Sequence, residues 1–483
     1  MNDELKDLEP ESVWRHFAAI AAIPRCSGKE QAIRDHVVSL AVEWGLEHLV
    51  DTAGNVMIRR QPAPGRESAP TVVLQGHLDM VCEKNRGVTH DFDCQGIRLR
   101  RDGQWLRAMD TTLGADNGIA VAMMLALLEG QEATGPLECL FTVDEESGLT
   151  GAKELDPTLI TGRTMINLDS EEEGFFCIGC AGGLNTYLTL PVVRVTPDAG
   201  SVAREILLSG LHGGHSGAEI HLGLGNSLVL TARVLMTLRG VSPELRIAEV
   251  DGGGKHNAIP REARVVVVVP AGDAAAVETA LAGMADVFRA ELLERDPDVA
   301  LTWEEAVVPE LVLGAGSTAA LVDLLTTLPN GVLGMSAAVP GLVETSSNLA
   351  AVRTGRDGVE ILTSQRSSRA ELINWAGDKV AAAGRLAGAA VRQGERYPSW
   401  TPAMTSPLLD VARQSYQKLF GTEADVGAFH AGLECGVIRD KVGEMDMISF
   451  GPDLKSPHTP EEHLSIPSTE RTWRLLLDIL RSL

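Results

Sequence analysis

The sequence predicts an α/β protein: a mixed, largely parallel sheet flanked by helices, interrupted by an inserted two-part α+β domain. Three observations predict it. Short β-rich runs alternate with helical periods over the first 184 residues, as strand–helix–strand units do. Near residue 185 the pattern changes to strands joined by longer, Ala-rich helices. From residue 401 the tail restores a helix, a strand and a helix. The expected organisation is a first domain made of 1–184 and 401–483, with 185–400 inserted between its halves.

Residues 10–22 form the first expected helix, with Pro10 near its start and Trp14, Phe17, Ala18 and Ala21 on one face. "SGKE" at 27–30 reads as a capping box opening a second helix, whose buried stripe is Ile33, Val37, Val38 and Ala41. "NVMIRR", "TVVLQG", "LECLFTV" and "TMINL" are expected strands; the second is expected to stop at Gly76. The apolar run at about 117–129 is a helix between the second and third. In the insert, helices at about 226–238, 272–294, 317–327 and 370–392 alternate with strands such as "ARVVVVVP". "VETSSNLAAVRT" and "GVEILTSQR" read as a strand pair around an Arg-Asp-Gly turn. "GERYPSWTP" resembles a linker, and the tail supplies the strand "MDMISFG" and the helix "STERTWRLLLDILRSL".

Composition excludes several classes. Apolar residues at 44 % and charged residues at 22 % describe a globular protein. A net charge of −24 argues against a nucleic-acid partner, which needs basic patches. The acidic start "MNDELKDLEPESVW" has no apolar core and is not a signal peptide. No run approaches the roughly 18 apolar residues of a membrane helix, so no membrane partner is expected. Seven scattered cysteines predict reduced thiols and a cytoplasmic protein.

Polar clusters then recur just after expected strands. His77 and Asp79 follow "VVLQG", Glu145 and Glu146 end "LFTVDEE", Asp169 ends "MINLD", and His458 lies beyond "MISFG". Asp116 precedes the apolar helix. Ligands of open α/β sheets bind outside the carboxyl ends of the strands, where these side chains could converge. Two imidazoles and three carboxylates, with two acids left over, suit a pair of divalent cations. Two adjacent cations need a bridging carboxylate, and a helix start can hold one rigidly. Asp79 is spaced to orient His77. Glu145 and Glu146, on an extended backbone, would point apart, one to ligate and one to act as base. Taken singly, each has a plainer reading: His77 as a loop or packed residue, Asp116 as an N-cap, the Glu pair as solvated.

"GHLDMV", "LGADNGIAVA", "TVDEESGLTGA", "NLDSEEEG" and "GLHGGHSGAEI" together resemble the cytosolic Xaa-His dipeptidases (aminoacyl-histidine dipeptidases, bacterial carnosinases), from about residue 5 onward. The resemblance implies a zinc-peptidase-like catalytic domain, the insert as its lid, and two Zn2+ per chain. Mn2+ or Co2+ would also fit an oxygen-rich site, and a homodimer is expected because dimers are the commonest assemblies. It implies that His77 and Asp169 hold one cation, Glu146 and His458 the other, and Asp116 both, followed by a cis peptide to Asn117. Asp79 would orient His77, Glu145 would be general base and acid, and His215 would stabilise the oxyanion. Arg366 and Asn257 would grip a free C-terminal carboxylate, while Glu434 would receive the substrate's ammonium. His430, close by, reads as structural. The implied reaction is hydrolysis of small dipeptides with free ends, such as β-Ala-His. The alternative is a related di-metal amidohydrolase acting on N-acyl or N-carbamoyl amino acids.

Other motifs point elsewhere. "CIGC" at 177–180 reads as a buried or loop pair of thiols, "GAGSTAA" at 314–320 as a helix start, and "GLGNS" at 223–227 as a turn into a helix. No Gly-x-Ser-x-Gly elbow is present, which weakens a serine-hydrolase reading.

Overall fold

A computed structural model describes residues 3–483. The chain divides into two compact units: the chain up to Gly179 with Pro402–Ala428 and Leu433–Leu483, and Cys180–Thr401 with Phe429–Gly432. Among the described residues, no helix is long and apolar enough to cross a membrane.

The first unit is built on an eight-stranded sheet. Its order is Glu47–Val50, Val56–Arg60, Leu137–Thr142, Val72–His77, Thr164–Asn167, Asp446–Ser449, Phe175–Cys180 and Asp425–Phe429. The third to sixth strands are parallel to one another, with antiparallel neighbours on both sides. Val72–His77 is buried along its whole length, as a central parallel strand covered on both faces must be. It runs one residue further than "VVLQG" suggests, so His77 is itself its last residue.

The helix Ala115–Glu129 is buried almost all round, which explains its lack of a polar face. The helix Glu11–Ala21 packs on it, with Trp14 and Phe17 fully buried in one core with Ile119 and Met123. Each such ring stabilises by roughly 1.5–3 kcal/mol relative to exposure. Gly76 lets Ala115–Glu129 lie close to the sheet: a Cβ there would stand 2.5 Å from Asn117 Oδ1 and 3.1 Å from Ala120 Cβ.

The capping box at 27–30 does not form. The helix is Gln31–Glu43 with Glu30 at its N-cap, and no side chain caps it. Ser27 Oγ instead donates to Asp79 Oδ2 at 2.7 Å, and Glu30 Oε1 accepts from the amides of Gly28 and Asp144. The reduced-thiol expectation also fails at one pair: Cys26 and Cys82 form a disulfide, while the other five cysteines are in none. Cys177 and Cys180 of "CIGC" point to opposite faces of Phe175–Cys180, and both are buried because the strand is covered on both sides.

The second unit carries one antiparallel sheet of nine strands, shared by both sets of elements in the insert. "ARVVVVVP" is buried on both faces: Val265, Val267 and Val269 join the large core under the helices, and Val266 and Val268 a smaller cluster. Asn226 caps the helix Ser227–Val241 by accepting from the amides of Leu228 and Val229. The helix expected over 370–392 ends at Leu386, and Gly388 at φ 83° turns the chain out of it. Ala390–Tyr397 is then an edge strand on Gly182–Pro191, so the "GERY" of the expected linker belongs to a strand, with Arg396 and Tyr397 paired. Its register shifts between Gln393 and Arg396, so Gly394 marks a bulge rather than a loose connection.

Candidate metal centre

The parallel strands deliver their carboxyl ends to one edge of the sheet. His77 ends Val72–His77, and Asp169 lies two residues beyond Thr164–Asn167. After Leu137–Thr142, Asp144 at φ 50° turns the chain into the short helix Glu145–Gly148. Glu145 and Glu146 therefore diverge as neighbours on a helix, not on the extended backbone the sequence suggests. His458 sits at φ 61° in the loop beyond Asp446–Ser449. Asp116 is not the N-cap: Gly114 is, at φ 68°, and Asp116 and Asn117 break the helical dihedrals around a cis peptide bond.

These residues meet. Asp116 presents one oxygen to each histidine, with Oδ1 3.0 Å from His77 Nε2 and Oδ2 3.1 Å from His458 Nε2. Asp169 Oδ1 lies 3.4 Å from His77 Nε2, and Glu146 Oε2 lies 2.9 Å from His458 Nε2. Two triplets result, His77–Asp116–Asp169 and Asp116–Glu146–His458, each with its ligand atoms within 4.8 Å of one another. Glu145 forms a further group with His77 and Glu146. Donors at 2.0–2.2 Å from a tetrahedral cation are spaced by roughly 3.3–3.6 Å, close to the separations here. Glu146 Oε1 and Asp169 Oδ1 are buried without a hydrogen-bond partner. The donor set therefore fits two cations sharing Asp116.

Electrostatics supports the same conclusion. Burial first, and then the neighbouring acids, drive the Glu145 carboxyl well above its ordinary range and raise that of Glu146. Asp169 rises to about 6, and Glu171 to about 8, for the same reasons. Against burial, the paired carboxylates raise His77; hydrogen bonds to Asp116 and Glu146 raise His458 to about 11. So many buried acids around two imidazoles want positive charge, which protons supply poorly and divalent cations well.

Asp79 is fully buried behind His77, with Oδ1 3.2 Å from His77 Nδ1. Its oxygens also accept from the amides of Glu145 and Glu146 at 3.1 and 3.2 Å. Burial opposes its ionisation, but His77, Ser27 and these amides hold it at about 2. Glu434, at the start of Glu434–Val442, is fully buried. Its Oε2 accepts from Gln75 Nε2 at 2.6 Å and Thr142 Oγ1 at 2.7 Å, leaving Oε1 without a partner. Burial raises it to about 7.

The remaining candidates lie in the second unit. His215 Nδ1 accepts from the amides of Gly217 and Ala218 at 3.2 and 2.9 Å, so the ring's proton must sit on Nε2. Burial, then the Arg366 charge, lowers it to about 4, so the ring is neutral at pH 7. Arg366 is buried; its Nη1 donates to Tyr397 Oη at 2.5 Å, and its Nε has no partner. A Cβ at Gly217 would stand 3.0 Å from His215 Cε1 and 3.2 Å from Arg366 Nε, so that glycine lets the two groups approach. The Asn257 carbonyl accepts from the Ser216 amide, beside the short ladder pairing His215 with Ala258. His430 Nε2 lies 2.7 Å from Ser346 Oγ.

Two buried residues of the first unit escape the sequence reading. Arg25 donates to the carbonyls of Leu78 and Asp79 at 2.9 and 2.8 Å and to that of Gly114. Glu462 accepts from four amides of the loop before Asp116. Both bond backbone, which has no side-chain signature; the one available signal was Glu462's place four residues after His458.

Residues 73–482 match the family described as Peptidase family M20/M25/M40. Over 481 residues, 99 % of both chains, the sequence is 38 % identical to the cytosol non-specific dipeptidase of Escherichia coli (strain K12). The structure is similar to the aminoacylhistidine dipeptidase of Vibrio alginolyticus, with TM-score 0.92 and 36 % identity over 100 % of this chain and 98 % of that one. Aminopeptidase PepT of Bacillus cereus ATCC 10987 shares the fold at TM-score 0.62 and 17 % identity, over 98 % of each chain.

Proposed function

The chain belongs to peptidase family M20/M25/M40, and from that premise we propose that it hydrolyses dipeptides with free ends in a cation-dependent reaction. It is a peptide hydrolase, and its relatives named above include two dipeptidases. The observation that carries the cation dependence is Asp116, whose two oxygens each face a different histidine.

His77 with Asp169, and Glu146 with His458, would each hold one divalent cation, with Asp116 shared between them. Such a pair supplies Lewis acidity toward the peptide carbonyl and acidifies water. Zinc suits the mixed nitrogen and oxygen donors, with manganese or cobalt as substitutes. Asp79 holds His77 in the tautomer that leaves Nε2 free to ligate. Glu145 removes the proton of the attacking water and returns it to the leaving amine; its raised affinity for protons suits both tasks. His215 donates Nε2–H to the carbonyl oxygen as negative charge grows there. The Arg366 fork, with Asn257, receives the substrate's carboxylate, and the unpartnered Oε1 of Glu434 receives its ammonium. The inserted segment 185–400 is assigned the role of lid.

A preference for histidine at the C-terminal position is supported by the name of the Vibrio relative. A cytoplasmic location is supported by the name of the Escherichia coli relative, no longer by the cysteine count, since Cys26 and Cys82 are paired. A homodimer is the proposed assembly: two-fold assemblies are the commonest, and the short strand Gly331–Met335 exposes Val332, Leu333 and Met335.

The test is metal content per chain combined with turnover of β-Ala-His before and after chelation. Two cations per chain, and activity lost on chelation and restored by zinc, are expected; full activity in metal-free protein would refute the proposal. Assay against an N-acetyl amino acid separates the amidohydrolase alternative, in which Glu434 would have no ammonium to bind.

A further inference from the structure

We propose that Glu462 is a positioning residue for the shared carboxylate, holding the Asp116 turn in register with the turn that carries His458. The inference rests on the two-cation reading above. Glu462 is a buried acid whose Oε2 accepts from the amides of Leu113 and Gly114 at 2.8 and 2.9 Å. Its Oε1 accepts from the amides of Ala115 and Asp116 at 2.8 and 3.3 Å. Four consecutive N–H groups thus converge on one carboxylate, almost 350 residues distant in sequence.

Those amides would otherwise be free donors. They open the helix Ala115–Glu129, whose first turn is broken at Asp116, so intrahelical bonds do not fix the aspartate's backbone. An anion there also complements the helix dipole. Arg25 works from the other side of the loop, donating to the Gly114 carbonyl while Glu462 takes the Gly114 amide. Gly114 sits at φ 68°, and a Cβ there would stand 2.6 Å from both Arg25 Nη2 and Met80 Sδ.

The placement has a consequence for the cations. Glu462 and His458 belong to one short loop, and Asp116 Oδ2 lies 3.1 Å from His458 Nε2. Fixing the amide of Asp116 to Glu462 therefore fixes two ligands of one cation against each other. Asp116 belongs to both triplets, so the second cation depends on the same anchor.

The experiment uses the full chain and the variants Glu462→Gln, Glu462→Asp and, as control, Glu461→Gln at the exposed neighbour. Glutamine keeps one oxygen and turns N–H against the other pair of amides; aspartate keeps the charge but reaches less far. Zn2+ affinity is read by chelator competition, ligand geometry by the Co2+ absorption spectrum, and stability by melting with and without metal. We expect Glu462→Gln to bind Zn2+ roughly 10- to 100-fold more weakly, as loss of a supporting partner does. Its Co2+ spectrum should change, its metal-induced rise in Tm should shrink, and Glu462→Asp should fall between it and the parent. Should Glu462→Gln not fold, Glu462→Asp carries the same comparison. Parental affinity and spectrum in the variants, with Tm lowered equally with and without metal, would show a purely structural residue and overturn the proposal. A parent chain that binds no cation would overturn the two-cation reading itself, a separate outcome seen before any variant is compared.

Discussion

Replacing Asp79 by asparagine tests how much the residue behind His77 contributes, because the side chain keeps its shape and loses its charge. Asp79 Oδ1 faces His77 Nδ1 and the Glu145 amide; Oδ2 faces Ser27 Oγ and the Glu146 amide. Asparagine can serve only one side as acceptor, so whichever way it turns, one backbone N–H meets another N–H. An orphaned buried donor costs about 1–3 kcal/mol. The lost charge beside His77 weakens cation binding by about 10- to 100-fold, or about 1.4–2.7 kcal/mol. The two effects separate experimentally. The first is read as a lower melting temperature of metal-free protein, the second as Zn2+ affinity in chelator competition. Zn2+ affinity within threefold of the parent would refute the argument that Asp79 acts through His77, whatever the stability.

Glu145→Gln should retain both cations and lose about 100- to 10,000-fold in kcat; depleted metal would make Glu145 a ligand instead. His215→Ala should lose about 100- to 1,000-fold in kcat with unchanged metal content, and near-parental turnover would remove its assigned role. His215 is held below its ordinary value, at about 4, so the unfolded chain binds its proton more readily. That contribution to stability is complete above about pH 6.5 and is lost as pH falls toward 4; melting of His215→Ala should show a shallower pH slope over that window. Cys26 and Cys82 enclose a 56-residue separation, for which chain entropy gives about 4 kcal/mol. Thiol titration of unreduced, denatured protein should count five thiols, and reduction should lower the Tm; seven thiols would refute the pairing.

The sequence reveals most where side-chain chemistry coincides with a strand end. His77, Asp169 and the Glu145–Glu146 pair could be placed near one another because parallel strands finish at one edge. Asp116 shows where this logic stops: a residue before an apolar helix reads as a cap, and only the fold shows Gly114 in that place. His215, Arg366 and Asn257 were named by resemblance alone, since a lid carries no strand-end rule. Arg25 and Glu462 were missed because their partners are carbonyls and amides. Ser27 was misread because a serine three residues before a glutamate fits a capping box equally well. The Cys26–Cys82 pair is a fact of proximity, hidden from any count of cysteines.

The order of strands in the first unit sets a timetable for biosynthesis. Thr164–Asn167 takes its neighbour from Asp446–Ser449, so one rim of the growing sheet stays bare while nearly three hundred further residues are made. His458 is made later still, so the proposed set of cation ligands stays incomplete until that turn has been synthesised. Until Asp446–Ser449 is made, the bare rim is the surface a chaperone would need to shield.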